Sequence, residues 1–338
     1  MSAAVVPPAN TGRAARDAGE ASRDAGEASR DAGEASRDAG EASRDAGEAS
    51  RDAGEASESV APVRFDPAPS VLTVDFEEWF CVCGDDWYSD SRNWDRFEPA
   101  IERSSEALLS RLDEAGARAT FFVLGWLARR RPSLVRRIAA AGHEIAFHGM
   151  AHRRCDEMSG ADLRRDLAAG KALLEDLSGA EVAGFRAPEW SVRGPDDPTL
   201  AALAGAGYRY DASMTAIPIL GRPGNPRRAV AVRTAEGTIL EFPPLTGRGW
   251  GHTINFGGGW AFRQLRWSRL MREAGRCREE GSPAVFTFHP WEFDPEAPPL
   301  TGSSALLRLT REAHRGRLPR RFGRLLASGP FARFRELL

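Results

Sequence analysis

Three carboxylates fall within VLTVDFEEWF, residues 71–80, where an apolar run delivers Asp75, Glu77 and Glu78 among Phe76, Trp79 and Phe80. An ionised carboxylate among apolar side chains is costly unless a cation, a metal or hydrogen bonds compensate it. In HGMAH, His148 and His152 stand four apart, so that on a helical turn both imidazoles would reach one ion. A catalytic zinc takes three protein ligands and leaves a fourth position to water. Two histidines therefore need a carboxylate, and Asp75 and Glu77 are the candidates, since alternation at a strand tip puts both on one side with Phe76 turned away. Glu78 would face elsewhere, as a solvated or supporting group. HEIAFH has Phe147 where an H-E-x-x-H motif needs histidine, so His143 reads as structural.

Three further segments carry polar residues at the ends of apolar runs. GFRAPEWS places Arg186 beside the fixed-φ Pro188, and such an arginine could clamp a carboxylate bidentately. YRYDASM supplies Asp211 and Ser213, and FTFHPWEFD supplies His289 followed by Trp291. A histidine hydrogen-bonded to a carboxylate is held in one tautomer and exchanges protons better. His289 with Asp211 is the candidate pair.

The elements that must position these groups alternate between strand-like and helix-like. VLTVD, RATFFVLG, HEIAFH, EVAGFRAP, YRYDASM, TILEFPP and PAVFTFHP read as strands. Between them lie IERSSEALLSRLDEAGA, WLARRRPSLVRRIAAAG with its internal proline, SGADLRRDLAAGKALLEDLSG with Ser159 as N-cap, and DDPTLAALAGAG. WAFRQLRWSRLMREAGRCREEG reads as one long helix, and two more close the chain. Repeated β–α units imply a parallel sheet covered by helices. In such folds functional groups collect past the carboxyl ends of the strands. Asp75, His148, Arg186, Asp211 and His289 each end a different strand, which points to one site.

Composition bounds what surrounds it. From Arg16 to Ser57 the heptapeptide RDAGEAS repeats six times unchanged. Its only apolar seam would be alanine, with a glycine in every heptad, so residues 1–60 read as a disordered tail and 61–338 as the folded domain. The repeats hold six of the 46 basic and twelve of the 48 acidic residues, which leaves 40 basic against 36 acidic. That near-neutral balance, without a basic stripe, argues against a nucleic-acid partner. No stretch approaches the ~20 apolar residues of a membrane span. Cys81, Cys83, Cys155 and Cys277 form no disulfide framework, and the N-terminus shows no secretory signal, so a cytoplasmic location is expected.

Taken in order, TVDFE, HGMAH, FRAPEWS, YDASM and FTFHPWEFDPE resemble the polysaccharide deacetylase family, the NodB-homology domains of carbohydrate esterase family 4. FGGGWAFRQLRW and LPRRFGRLLASGPFARFREL are similar to the subgroup associated with exosortase and exopolysaccharide gene clusters, and the likeness spans residues 70–338. The resemblance implies an α/β fold, a distorted (β/α) barrel of about seven strands with a C-terminal helical extension. It implies Asp75 as catalytic base, with Glu77 taking the metal position usually held by an adjacent aspartate. His148 and His152 become metal ligands for a divalent cation, zinc first. Arg186 would lie against the base, and Asp211 would support His289 as general acid. Pro188, Glu189, Trp190, Ser213, Trp260 and Trp291 become substrate-binding candidates, the tryptophans as platforms for sugar rings. The expected reaction is removal of N-acetyl groups from a glycan in exopolysaccharide biosynthesis, in association with membrane-bound machinery. A metal-independent amidohydrolase on the same scaffold and a catalytically silent glycan-binding protein are the alternatives.

Overall fold

The computed structural model describes residues 59–338. The RDAGEAS repeats, and the expectation that they are disordered, lie outside the described residues. The folded part starts slightly before residue 61, with strand β1 (Val60–Pro62).

Strands buried on both faces read as unbroken apolar runs rather than alternating ones. That is the state of β2 (Ser70–Phe76), β3 (Thr120–Val123) and β4 (Glu144–Phe147), in which every residue is buried. Then follow the two-residue β5 (Gly184–Phe185) and β6 (Tyr210–Asp211), with β7 (Val230–Thr234) and β8 (Gly237–Glu241) forming a hairpin. β9 (Thr246–Gly249) pairs with β10 (His252–Asn255) in a separate ribbon, and β11 (Ala284–Phe288) and β12 (Phe331–Ala332) complete the set.

Seven strands run parallel in the spatial order β8-β6-β5-β4-β3-β2-β11. β7 pairs antiparallel with β8 and β1 with β7, while β12 lies parallel along the start of β2. Among the described residues no ladder joins β8 to β11. The chain leaving β8 instead hydrogen-bonds the free edge of β11: Leu245 N–H donates to the Val285 carbonyl, and Thr287 N–H donates to the Gly257 carbonyl. The seven-strand distorted barrel expected from the sequence is thus bridged by single hydrogen bonds.

Helices cover the sheet where periodicity placed them, with two breaks. Ile101–Glu114 and Gly160–Ser178 are continuous; the latter begins at Ser159, whose hydroxyl accepts from Asp162 N–H, and ends on left-handed Gly179. Arg131–Pro132 divides Gly125–Arg130 from Pro132–Ala140, because proline fits a first turn but not an interior. The long helix expected over 260–281 is also two, Gly259–Gln264 and Trp267–Glu279. Its break is capped by Arg321, whose guanidinium donates to the carbonyls of Phe262 and Leu265.

Behind the first strand, Trp79, Phe80, Tyr88, Trp94 and Phe97 form a continuous aromatic cluster. Glu78 belongs to this buried layer and is not solvated. Its carboxylate accepts from the backbone N–H groups of Ala100 and Ile101, capping Ile101–Glu114. Burial pushes the Glu78 carboxyl up, against those hydrogen bonds.

Candidate metal and acid–base site

At the carboxyl ends of the parallel strands, β2 presents Asp75 at its tip and Glu77 just beyond, while Phe76 packs into the core against Phe121. β4 delivers His148. The HGMAH segment is not a helical turn. Gly149 and His152 take φ of 77° and 51°, so the chain doubles back and brings His152 to His148 by a bend. His152 Nε2 lies 3.0 Å and His148 Nε2 3.5 Å from Glu77 Oε2. All three side chains are buried.

Donor atoms around one tetrahedral zinc, 2.0–2.2 Å from each, stand about 3.3 Å apart. The observed separations fit that figure. Glu77 Oε2 is buried and accepts no well-aligned hydrogen bond. His148 Nδ1 lies 2.8 Å from the Arg186 carbonyl, which fixes the tautomer that turns a bare Nε2 toward Glu77. Burial by itself would raise the Glu77 carboxyl, yet the facing His152 and His148 imidazoles hold it well below the ordinary range. Burial would likewise lower His152, and the Glu77 charge raises it. The cluster thus demands positive charge between one carboxylate and two imidazoles, and a divalent cation fits its donor set. Among the described residues it is the one cluster of this kind.

Arg186, 1 % exposed, follows β5 and holds Asp75: Nη1 donates to Asp75 Oδ1 at 2.6 Å and to Thr73 Oγ1 at 3.0 Å, and Nε donates to the Ala212 carbonyl at 3.0 Å. The Phe122 ring lies 4.1 Å and the Trp190 ring 4.9 Å from its guanidinium carbon. A buried arginine so fixed holds its partner carboxylate in one place through a charge-assisted hydrogen bond. His289, following β11, closes the other side, with Nε2 3.9 Å from Asp75 Oδ2 and 3.7 Å from Glu77 Oε1.

The structure corrects the partner of His289. Its Nδ1 lies 3.2 Å from Glu292 Oε2, and the same carboxylate accepts from the His289 backbone N–H at 3.0 Å. The turn Pro290–Phe293 makes this i,i+3 contact local. Burial would lower His289; the hydrogen bond to Glu292 and the Glu77 and Asp75 charges outweigh it and push the imidazole up to about 9. Asp211 is turned to other partners. It accepts from the Ser213 hydroxyl and is register-paired with Glu241 at the tip of β8. Burial and the Asp211 charge push the Glu241 carboxyl well up, and Glu241 accepts from Met214 N–H.

The substrate-binding candidates differ in burial and contacts. Ser213 is wholly buried, its hydroxyl engaged by Asp211 and by Ala187 N–H. Pro188 is buried against the HGMAH bend, where a β-carbon on Gly149 would come within 3.2 Å of its ring. Trp260 packs on the core. Trp291 stacks on His289 with ring centroids 5.2 Å apart and an interplanar angle of 25°. Glu189 and Trp190 stay at the rim, both with left-handed φ, and Glu189 pairs with Arg154 at 3.1 Å.

The sequence reading missed Glu292 and Glu241. Each had a signal: Glu292 stands three after His289 in HPWE, and Glu241 ends the strand run TILE. Two of the three glycines of FGGGW are explained as well. A β-carbon on Gly257 would lie 2.3 Å from the Val285 carbonyl oxygen, and one on Gly259 would lie 1.9 Å from Glu292 Oε1.

Comparison with known proteins agrees with this geometry. Residues 91–210 match the polysaccharide deacetylase family model, and residues 212–338 match a domain of unknown function, DUF3473. Residues 91–210 thus carry a polysaccharide deacetylase family domain. His148, His152 and Arg186 fall in the first matched region and His289 and Glu292 in the second, so one site draws on both. A chitooligosaccharide deacetylase of Sinorhizobium fredii is 39% identical over 103 residues, 30% of this chain and 46% of that protein. A peptidoglycan-N-acetylglucosamine deacetylase of Bacillus cereus is 37% identical over 68 residues, 20% of this chain and 32% of that protein. The chain thus spans less than half the length of these curated relatives. Among solved structures, one from Mycobacterium smegmatis assigned to the polysaccharide deacetylases superposes with a TM-score of 0.54 at 22% identity, covering 82% of this chain and 92% of that one. That likeness concerns the fold.

Proposed function

We propose that this protein is a divalent-metal-dependent hydrolase that removes N-acetyl groups from an acetylated glycan, in exopolysaccharide biosynthesis. One observation carries the reading: an arginine-held carboxylate, Asp75, and a carboxylate-held imidazole, His289, face each other across the Glu77–His148–His152 cluster. The names of the matched relatives, deacetylases of chitooligosaccharides and of peptidoglycan, supply the substrate class.

A cation held by Glu77, His148 and His152 would supply Lewis-acid polarisation of the acetyl carbonyl and a water of lowered pKa. The chain's own groups do the rest. Arg186 holds Asp75 in place, so that Asp75 takes the proton of the attacking water. Across the cluster, His289 carries its proton toward the departing amine nitrogen, with Glu292 fixing Nδ1 and leaving Nε2 to donate. Water adds to the acetyl carbon, the C–N bond breaks, and acetate and an amino sugar leave.

The test is acetate release from defined N-acetylated glycans, with and without chelator and added divalent metal. Asp75→Asn and His148→Ala should each lower turnover at least 100-fold in folded protein. Full activity in either variant refutes the assignment. Activity that survives complete chelation supports the metal-independent alternative instead.

A further inference from the structure

The helix Ala305–Glu312 buries an unexpected residue. Leu306 and Leu309 are exposed and Leu307 is half-buried, while Arg311 alone is buried, 6 % exposed. A surface helix ordinarily buries its apolar side, and a buried guanidinium is costly unless something compensates it. Here the compensation lies in the turn that carries His289. The guanidinium carbon of Arg311 is 4.0 Å from the centroid of the Trp291 ring, and that ring stacks on His289. Arg311 Nε and Nη2 meet no hydrogen-bond acceptor, and the ion pair from Nε to Glu312 Oε1 is long, at 3.6 Å. Burial lowers the guanidinium to about 10, so it is charged at neutral pH. A cation over an indole face is attracted more strongly when desolvated than when exposed.

The backbone of the same helix reaches the other support of His289. Arg263 Nη1 donates to the Arg311 carbonyl, and Nη2 donates to the Thr310 carbonyl at 3.1 Å. Arg263 Nη2 also lies 3.9 Å from Glu292 Oε1, on the carboxylate that meets His289 Nδ1. Just past the helix, Arg315 Nη2 donates to the carbonyls of Asp294 at 2.7 Å and Trp291 at 3.3 Å, and Nη1 donates to Glu312 Oε2 at 2.7 Å. Three arginines thus tie this helix to the turn Pro290–Phe293. The His289 side chain is itself 29 % exposed. An imidazole open to solvent on one side keeps its aim only if its neighbours fix the ring plane from the other.

We infer that Arg311 is a positioning residue for proton transfer: through Trp291 it holds the ring plane of His289, so that Nε2 faces the departing amine. The inference rests on the proposed deacetylase reading and gives the helix Ala305–Glu312 a part in it.

The experiment uses metal-loaded wild type, Arg311→Met and Arg311→Lys. It compares acetate release from an N-acetylated glycan, tetra-N-acetylchitotetraose first, with hydrolysis of 4-nitrophenyl acetate. The amine needs a proton as it departs, whereas 4-nitrophenolate leaves unaided. Arg311→Met keeps the volume and removes the charge. It should lower kcat on the amide about tenfold, and leave both KM and the ester rate within about twofold. Arg311→Lys restores a cation without the planar fork, so its kcat on the amide should fall only about threefold. Should methionine impair folding, that smaller fall, confined to the amide, decides in its place. A wild-type amide rate, equal falls on amide and ester, a change in KM alone, or a lysine variant no better than methionine overturns the proposal. If wild type releases acetate from no defined N-acetylated glycan, the deacetylase reading fails separately. The NMR shift of the His289 ring protons then decides the positioning: movement toward the unstacked value in Arg311→Met supports it, and an unchanged shift overturns it.

Discussion

Replacing Glu292 by glutamine tests the acid half of the site, because it keeps the shape and removes the charge behind His289. Glu292 is buried and hydrogen-bonded to both Nδ1 and the backbone N–H of His289, with Arg263 Nη2 3.9 Å from its other oxygen. A hydrogen bond to a charged group contributes about 1.5–3 kcal/mol. At about 1.4 kcal/mol per factor of ten, its loss should lower kcat for amide hydrolysis about 10- to 100-fold. The loss should depend on the leaving group. An amine must be protonated as it departs, whereas 4-nitrophenolate leaves unaided, so aryl acetate hydrolysis should change less than threefold. The pH profile should move with it. His289 is raised from its ordinary 6.5 to about 9, and it donates only while protonated, so the alkaline limb of kcat should shift toward neutrality in Glu292→Gln. Gly259→Ala should reproduce part of the defect, since its β-carbon would meet Glu292 Oε1. Equal losses on amide and ester, or a wild-type rate on the amide, would refute the assignment of Glu292.

Zinc at 100 times its dissociation constant should stabilise the folded protein by about 2.7 kcal/mol, read as a rise in Tm that His152→Ala abolishes. Asp166 accepts from Met150 N–H at the back of the HGMAH bend, and burial raises its carboxyl to about 6, against that hydrogen bond. The folded state therefore binds the proton more tightly than the unfolded chain, and stability should fall as pH rises from about 4 to 6. The loss, about 1–3 kcal/mol by urea unfolding, should vanish in Asp166→Asn, which keeps an acceptor; an unchanged pH slope refutes it. Glu78→Ala should cost about 1–2 kcal/mol by removing the cap of Ile101–Glu114, with a smaller loss for Glu78→Gln.

What the sequence determined by itself is the set of strand tips and much of their cargo. A strand buried on both faces is largely an apolar run, and a polar residue buried at its end must find a partner. Hence Asp75, His148, Arg186 and His289 were legible one strand at a time, and Ser159 caps its helix through local geometry that sequence encodes directly. The chain could not reveal which carboxylate meets which imidazole. Asp211 and Glu292 are equally plausible partners for His289 on paper. The turn Pro290–Phe293 settles it, while Asp211 is taken up by the Ser213 hydroxyl beside its register partner Glu241. Glu78 shows the same limit, since only the arrival of residues 100 and 101 turns a spare acid into a helix cap. His148 and His152 do meet, through left-handed backbone that no side-chain periodicity announces. Local preferences are written residue by residue, but the pairing of distant buried charges depends on which strands and turns the packed sheet brings together, and only the tertiary structure decides that.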